Sequence, residues 1–454
     1  MIHAILFIAI VFTGYILALW KEPFWGLISY TTIYFINFDS GANWWGEFLP
    51  DLRWSLLSAG ILLVSIIIHW DKRSTHKFSF FYIVLILYIF IEVITNTIAI
   101  APIEAKYYAH LMQGNCIIMI LIIKTLSEFK HLRNLLLTII VLGAILGVQA
   151  IFEGTTLHGR VNNIGPADAM GANELGVLLA SILPFTIPYI LKGKWYEKVI
   201  CFLSLPFIID GFMLTVSRGA FVALLFSVFY TSLFIADKKV KKYMLVTLIG
   251  FLPIFFYFAD QSYINRISSL WIGDRSTEKE VNKLSAGRTD IWRHALSMVK
   301  DYPYGAGPGG FRELARFYLP QKDLVVHPGA EYAVRAAHNS YLLVLVELGY
   351  LGLLIYIIIC FATMYSLFKS SKKIKQIGQR GTFIHLLIIA LNISVMCTLM
   401  GGMTGGKVYY EFFWWQVAIV IVVKSFVMNM AQHYSIRKVI QINHLAFSSK
   451  QTAD

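Results

Sequence analysis

Long apolar stretches separated by short polar loops dominate the chain. A helix needs about 20 apolar residues to cross the roughly 30 Å hydrocarbon core of a bilayer, and most of these stretches approach that length. They predict membrane-spanning helices at 2–20, 53–70, 78–98, 108–126, 134–152, 174–191, 197–215, 219–236, 243–259, 340–368, 382–401 and 411–430. A shorter apolar stretch at 24–38 fits either a thirteenth span or an interfacial hairpin. The predicted fold class is therefore an all-α polytopic membrane protein with about 12, and at most 13, transmembrane helices.

The composition agrees with a membrane environment. Of the 454 residues, 57% are apolar and only 14% are charged, and the mean hydropathy is +0.65. A soluble domain carries about 25% charged residues, so this composition excludes a cytosolic enzyme, a secreted domain and a disordered chain. All four cysteines lie inside apolar stretches, which predicts small buried side chains rather than a disulfide framework. They are Cys116, Cys201, Cys360 and Cys397.

The net charge of +13 has an uneven distribution along the chain. Alternate loops carry more than half of the 39 Lys and Arg residues. These loops lie at 71–77, 124–133, 192–198, 238–242 and 369–380, together with the C-terminal tail. By the positive-inside rule these segments are cytoplasmic, which predicts a cytoplasmic C-terminus and argues against nucleic-acid binding. The side of the N-terminus depends on whether 24–38 crosses the membrane.

This orientation divides the chain into four parts. They are N-terminal transmembrane helices at 1–259, a large periplasmic loop with amphipathic helices at 260–338, C-terminal transmembrane helices at 339–430 and a cytoplasmic tail at 431–454. Long loops in compact proteins are usually functional. Within this one, 289–300 is predicted to be an amphipathic helix, with Trp292, Leu296 and Val299 on its apolar face.

Two polar clusters lie at the outer ends of predicted spans. Arg160 precedes the segment ADAMGANE, in which Asn173 is a candidate cap for the following helix. Arg218 lies in the segment TVSRGA, between two apolar stretches that are joined by almost no loop. A charge at membrane depth is costly, so Arg218 is a candidate functional residue, while Gly219 and Ala220 allow another backbone to approach closely.

Two further clusters belong to the long loop and its end. Arg288 lies in AGRTDIW, which is followed by the glycine-rich segment 303–311. No strand precedes these glycines, so they predict a tight turn against the membrane helices rather than a dinucleotide site. His338 and Asn339 lie at the start of a predicted membrane helix, whose positive end favours a neutral imidazole that can accept a proton.

These arginines and the histidine all lie on the predicted outer side of the membrane. Arginine side chains are suited to bind phosphate oxygens through paired hydrogen bonds, and a neutral histidine beside them is suited to act as a base. The pattern predicts a site for an anionic headgroup. No dense cluster of Asp, Glu or His accompanies these residues in the sequence, so neither a metal ion nor a cofactor is expected.

Four of these segments resemble the O-antigen ligase and polymerase family of bacterial membrane glycosyltransferases. They are GPADAMGANELGVLLASILPF, MLTVSRGAFVAL, AGRTDIWRHALSMVKDYPYGAGPGGF and AAHNSYLLVLVELGYLGLL. They occur in the order typical of the family and cover roughly residues 160–355. The first 70 residues are also similar to putative O-glycosylation ligases associated with exosortase systems.

The resemblance implies a metal-independent enzyme of the bacterial inner membrane with its active site facing the periplasm. The implied donor is a glycan linked to undecaprenyl diphosphate. Arg218 and Arg288 would bind the diphosphate, His338 would activate the acceptor hydroxyl, and Asn339, Asn173 and Arg160 would complete the substrate site. In this chain extra residues separate Asp168 from Asn173, unlike the D-x-N segment of the family, which leaves the role of Arg160 open.

Several functions share these features. An O-antigen ligase acting on a hydroxyl of lipid A–core oligosaccharide is the preferred interpretation, and an O-antigen polymerase and a protein O-oligosaccharyltransferase are alternatives in the same family. A polyprenyl-lipid transporter would also use membrane arginines, but it is expected to show inverted repeats, which the sequence lacks. A glycosyltransferase using polyprenyl monophosphate sugars would need acidic residues such as Asp39, Glu47 or Asp51 in the first outer loop. The tryptophans beside them, Trp44, Trp45 and Trp54, favour an interfacial loop instead.

Overall fold

A computed structural model describes residues 2–38, 43–74, 80–157, 160–235, 241–242, 244, 278–320, 324 and 336–451. These residues form α-helices joined by mostly short loops. In chain order the helices are α1 (Ile2–Trp20), α2 (Phe24–Phe35), α3 (Trp54–Ile68), α4 (Phe80–Thr97), α5 (Pro102–Thr125), α6 (Phe129–Phe152), α7 (Ala172–Ile182), α8 (Thr186–Lys192), α9 (Trp195–Leu214), α10 (Arg218–Phe234), α11 (Glu278–Asp301), α12 (Gly310–Tyr318), α13 (Ser340–Gln376), α14 (Phe383–Gly401) and α15 (Glu411–Gln451). Short 3₁₀ helices lie at Trp44–Phe48, Trp70–Lys72 and Leu183–Phe185. A small antiparallel hairpin pairs β1 (Thr155–Leu157) with β2 (Arg160–Asn162).

The prediction of an all-α polytopic membrane protein is confirmed by eight helical segments that are long and apolar enough to cross a bilayer. They are Ile2–Trp20, Phe80–Thr97, Pro102–Thr125, Phe129–Phe152, Ala172–Lys192, Ser340–Gln376, Phe383–Gly401 and Glu411–Arg437. The predicted spans at 53–70 and 219–236 correspond to the shorter apolar helices α3 and α10. The predicted span at 197–215 is α9, which carries three charged residues. The predicted span at 243–259 lies outside the described residues apart from 244, so the total of about 12 stays a prediction.

The stretch at 24–38 contains a short helix. At about 1.5 Å per residue, the 12 residues of α2 reach about 18 Å, which is less than the hydrocarbon thickness. Nine of them are buried, against α1, α3 and α6. Helix α2 is therefore shorter than a straight span and packs against other helices of the bundle.

The expectation of interfacial tryptophans in the first outer loop is wrong for two of the three. The side chains of Trp45 and Trp54 are buried and pack against Phe7 of α1. Their rings bury a large apolar area, so they fasten the loop to α1 instead of facing lipid headgroups. Of the acidic candidates beside them, Asp39 lies outside the described residues.

The centre of the bundle is α14, which is buried along nearly its whole length. It packs against α7, α8, α10, α13 and α15. Several of its polar side chains bond to neighbouring helices, as in the hydrogen bond of 2.8 Å that Thr231 donates to Asn392. Such pairing is needed because an unsatisfied polar group is expensive in an apolar interior. The loop that follows α14, residues 402–410, leads directly into α15.

The described part of 260–338 forms a second, smaller core against α13. Helix α11 buries Ile291, Ala295 and Met298 against α12 and α13. The predicted amphipathic helix over 289–300 is confirmed and begins earlier, at Glu278. Of the three residues predicted on its apolar face, Val299 is buried and Trp292 packs against the same core, whereas Leu296 is 51% exposed.

Candidate functional site

Arg160 begins strand β2 and is fixed by two elements. Its Nε donates to the carbonyl oxygen of Thr215 at 3.0 Å, and its Nη2 donates to Oδ1 of Asn173 at 2.6 Å. Thr215 lies just after α9, and Asn173 lies in the first turn of α7. Arg160 therefore ties the hairpin to both helices. A lysine lacks the planar, forked geometry that makes two such bonds at once.

Asn173 has a different role from the predicted cap. The N-cap of α7 is Gly171, and the first N–H group of the helix, that of Ala172, donates to Oδ1 of Asn162 at 3.0 Å. Instead, Oδ1 of Asn173 accepts the bond from Arg160 and a second one, of 3.0 Å, from the hydroxyl of Ser217. The three side chains form a chain that joins the start of α7 to the start of α10.

The junction between α9 and α10 holds Arg218. Ser217 is the N-cap of α10, and its Oγ accepts from the backbone N–H of Ala220 at 3.3 Å. Arg218 is the first residue of the helix and is half-buried. The next residue, Gly219, lies so close to the 402–410 loop that an added methyl group would stand 2.5 Å from Oγ1 of Thr404. The close neighbour at this glycine is thus the Thr404 side chain and not a backbone.

The 402–410 loop also contacts the start of α13. Ser340 donates its backbone N–H to the carbonyl of Gly402 at 2.7 Å and its hydroxyl to the carbonyl of Gly405 at 2.9 Å. In return, the N–H of Lys407 donates to Oγ of Ser340 at 2.7 Å. The loop thus lies between the first turns of α10 and α13, the helices that carry Arg218 and follow His338.

His338 and Asn339 form the entry to α13. Asn339 is the N-cap, and its Oδ1 accepts from the backbone N–H groups of Tyr341 and Leu342 at 2.9 and 3.1 Å. His338 is half-buried and adopts a left-handed backbone conformation with φ of 48°. Such a conformation is uncommon for a residue with a side chain and is often found at functional sites. The predicted place of His338 at a helix N-terminus is confirmed.

Helix α11, which carries Arg288, contacts the segment that leads into α13. One turn further along α11, Nε1 of Trp292 donates to the carbonyl oxygen of Ala337 at 3.1 Å. Residues four apart lie on the same face of a helix, so Arg288 and Trp292 share the side of α11 that faces His338. Both are half-buried.

The glycine-rich segment 303–311 locks α11 and α12 onto α13. Helix α13 is interrupted at Gly349, whose φ is 70°, and the segment inserts its backbone at this break. Ala306 and Gly307 donate their N–H groups to the carbonyls of Val346 and Glu347 at 2.9 and 3.0 Å. The prediction of a tight turn packed on the membrane helices is confirmed.

Glu347 completes this attachment. Its carboxylate accepts a bond of 2.5 Å from the hydroxyl of Tyr409 and accepts from the backbone N–H groups of Gly309 and Phe311. The two backbone donors lie at the N-terminus of α12, where helices leave N–H groups unsatisfied. Glu347 therefore holds α12 in place.

Buried charged groups surround the other side of the 402–410 loop. Asp168 accepts from the N–H of Glu411 at 2.7 Å and from the hydroxyl of Tyr34 at 3.1 Å. Burial raises the pKa of Asp168 to about 6, although these donors and Lys407 act in the opposite direction. Lys407 forms an ion pair of 3.7 Å with Glu174, and burial lowers the pKa of its ammonium group. Asp168 and Asn173 thus bind different partners.

The sequence analysis missed the 402–410 loop, together with Lys407 and Glu174. The signal was present, because the segment TGGKVYYE places a lysine after two glycines between two apolar stretches. The loop is short, and only the folded chain shows that it touches helices that begin far apart in the sequence.

Together these contacts bring the N-termini of α7, α10 and α13 around one loop. The helix dipole favours a bound anion at a helix N-terminus, and the three helix starts carry Asn173, Arg218 and His338. Among the described residues no group of three His, Cys, Asp or Glu side chains is arranged to hold a metal ion. The arrangement is suited to bind a phosphate-containing group.

Comparison with known proteins agrees with this description. Residues 203–357 match the family model described as O-antigen ligase. The match covers Arg218, Arg288, His338 and Asn339, while Arg160 and Asn173 lie before it. A search of curated proteins found no match. The match covers about a third of the chain and supports assignment to the O-antigen ligase and polymerase family of membrane enzymes.

Proposed function

We propose that the protein transfers a glycan from undecaprenyl diphosphate to a hydroxyl group of lipid A–core oligosaccharide, without a metal ion. The observation that carries this proposal is the meeting of three helix N-termini at the 402–410 loop. A diphosphate carries several negative charges, and both the positive end of a helix dipole and arginine side chains favour binding of such a group.

Glycan transfer consists of one proton transfer, the formation of one bond and the breaking of another. His338 accepts the proton of the acceptor hydroxyl, the hydroxyl oxygen forms a bond to the anomeric carbon, and the bond from that carbon to the phosphate oxygen breaks. The products are the glycosylated acceptor and undecaprenyl diphosphate. Because negative charge grows on the leaving diphosphate, fixed cations beside it lower the barrier.

The candidate site residues have different roles in this reaction. Arg218 and Arg288 neutralise the diphosphate, and His338 acts as the base at the positive end of α13, which favours its neutral form. Asn339 shapes the entry of α13 beside His338. Arg160 and Asn173 hold the hairpin and α7 against α10, and so set one wall of the site. The positive loops on the opposite side of the membrane support a site on the periplasmic face of the inner membrane.

A reconstituted transfer assay tests the proposal. Purified protein in proteoliposomes receives a glycan linked to undecaprenyl diphosphate, in the presence of a metal chelator, and either lipid A–core, an acceptor peptide or no acceptor. We expect glycosylation of lipid A–core, read as a mobility shift on a gel. Lengthening of the donor without acceptor would identify a polymerase, and glycosylation of the peptide a protein oligosaccharyltransferase. Movement of the intact donor across the bilayer without transfer would identify a transporter.

A further inference from the structure

Lys407 touches two of the three helix starts. Its backbone N–H donates to Oγ of Ser340, at the start of α13, at 2.7 Å. Its ammonium lies 3.7 Å from Oε1 of Glu174, in the first turn of α7. It is the residue of the 402–410 loop that joins the helix following His338 to the helix carrying Asn173.

The environment of this lysine is unusual for a charged group. Its side chain is only 2% exposed, and its ammonium has no hydrogen-bond partner among the described residues. The groups that face it are Glu174 from α7, Asp168 from the preceding loop, Cys397 from α14 and the ring of Tyr410 at 4.9 Å. Burying a cation with such incomplete pairing is unfavourable, and an apolar side chain of similar size is often equally stabilising or more so. Stability alone does not account for this lysine.

We propose that Lys407 is a positioning residue for glycan transfer. Its ion pair with Glu174 and its bond to Ser340 fix the start of α7, with Asn173 and Arg160, relative to the start of α13, with His338. This inference rests on the proposed function for its effect on turnover. The claim that Lys407 joins the starts of α7 and α13 depends only on its contacts with Glu174 and Ser340.

The kinetics of two substitutions at Lys407 test whether its positive charge is needed for turnover. Lys407→Met keeps most of the volume and removes the charge, and we expect it to lower kcat by about tenfold or more, while the KM for the donor changes less than about threefold. Lys407→Arg keeps the charge and is expected to recover kcat to within about threefold of wild type. Lys424→Met is the matched control, since Lys424 lies in α15 against the ring of Phe81 and outside the site. Equal kcat in Lys407→Met and wild type would overturn the inference.

A double-mutant cycle tests whether Lys407 and Glu174 act together. Glu174→Gln disrupts the same ion pair from a residue whose side chain is 25% exposed, so it is expected to fold even if Lys407→Met does not. It should lower kcat by a similar factor, and the double variant should show no further loss, because coupled residues are not additive. Independent, multiplying losses would contradict a shared role.

Hydrogen exchange provides a readout that needs no turnover. In Lys407→Met and Glu174→Gln, amide exchange should rise in the peptides covering 171–176 and 338–343, while the middle of α14 stays protected. Lys407→Arg should resemble wild type. If the wild-type protein transfers no glycan, the proposed function fails, and the exchange data still decide whether Lys407 couples the two helix starts. Unchanged exchange in both segments would overturn the positioning role even if kcat fell.

Discussion

The indole Nε1 of Trp292 donates a hydrogen bond of 3.1 Å to the carbonyl oxygen of Ala337, 45 residues further along the chain. Ala337 immediately precedes His338, and Trp292 lies one helical turn after Arg288. A single bond therefore joins the helix that carries an arginine of the site to the segment that carries its histidine. The two motifs are separate in the sequence and adjacent in the fold.

Removing this bond should reduce turnover more than stability. In Trp292→Phe the ring keeps most of its packing but loses the donor, which contributes about 0.5–1.5 kcal/mol to stability. A small displacement of Arg288 relative to His338 has a larger effect on the reaction, and we expect kcat to fall by about tenfold or more. The measurement is glycan transfer alongside the thermal unfolding midpoint. Trp195→Phe is the control, because Trp195 is 77% exposed at the start of α9; equal activity in the two variants would contradict this account.

Gly349 and Gly378 have nearly the same positive φ but differ in the space around them. Gly349 and Gly378 have φ of 70° and 75°. A methyl group added at Gly349 would stand 2.5 Å from the carbonyl carbon of Tyr304 and 2.6 Å from the carbonyl oxygen of Pro303, whereas at Gly378 it would meet nothing within 4 Å. Gly378→Ala should destabilise the protein by about 1 kcal/mol through strain alone.

Gly349→Ala should have a much larger effect than Gly378→Ala. The methyl group would displace the glycine-rich segment from the break in α13, and we expect a loss of more than about 3 kcal/mol in the free energy of unfolding. Thermal unfolding in detergent compares the two variants directly. Similar midpoints would show that the segment does not depend on this close backbone approach.

Asp168 should make stability depend on pH. Its pKa in the fold is about 6, above the value of about 3.9 in an unfolded chain, so the folded protein holds this proton more tightly. The stabilisation by the proton is complete below about pH 4 and is lost as the pH rises to about 6. The shift corresponds to at most about 3 kcal/mol.

Asp168→Asn removes this dependence while keeping a side-chain oxygen for the bonds from Tyr34 and Glu411. The difference in unfolding free energy between wild type and Asp168→Asn should therefore change between about pH 4 and pH 7, in favour of the variant at the higher pH. Unfolding midpoints measured across this range provide the comparison, with Asp71→Asn at an exposed position as the control. Parallel curves for wild type and Asp168→Asn would contradict the raised pKa.

Arg160→Lys tests whether geometry matters at this position as well as charge. A lysine keeps the positive charge but cannot donate to Thr215 and Asn173 with the same fork. We expect transfer to fall by about tenfold or more, with a smaller fall for Lys130→Arg, because Lys130 is exposed and pairs with Glu128 at the surface. Wild-type turnover in Arg160→Lys would mean that only the charge is used.

The sequence predicted the class of fold and most of the helices, because apolar stretches of spanning length have few other solutions. It also placed His338 and Arg218 at helix starts, since polar motifs that interrupt apolar stretches mark helix ends. It did not predict that Asn173 binds Arg160 and Ser217 instead of capping α7, because the capping preference of an asparagine is local and these partners come from other elements. The burial of Trp45 and Trp54 depends in the same way on contacts with α1 that no local pattern contains.

The role of the 402–410 loop was not predictable from the sequence. Its glycines, Thr404 and Lys407 carry no strong motif, and their importance comes from touching Gly219, Ser340 and Glu174. Contacts between residues so distant in sequence depend on how the helices pack. Hydropathy and charge along a single chain do not contain that information.

Binding of the leaving group tests the central claim most directly. Equilibrium affinities for labelled undecaprenyl diphosphate and undecaprenyl monophosphate are measured in chelator for wild type, Arg218→Ala and the exposed control Arg380→Ala. We expect wild type and Arg380→Ala to prefer the diphosphate, and Arg218→Ala to bind it at least about tenfold more weakly, since one charge-assisted hydrogen bond contributes about 1.5–3 kcal/mol. Equal affinity of all three proteins for both lipids would contradict a diphosphate site at these helix starts.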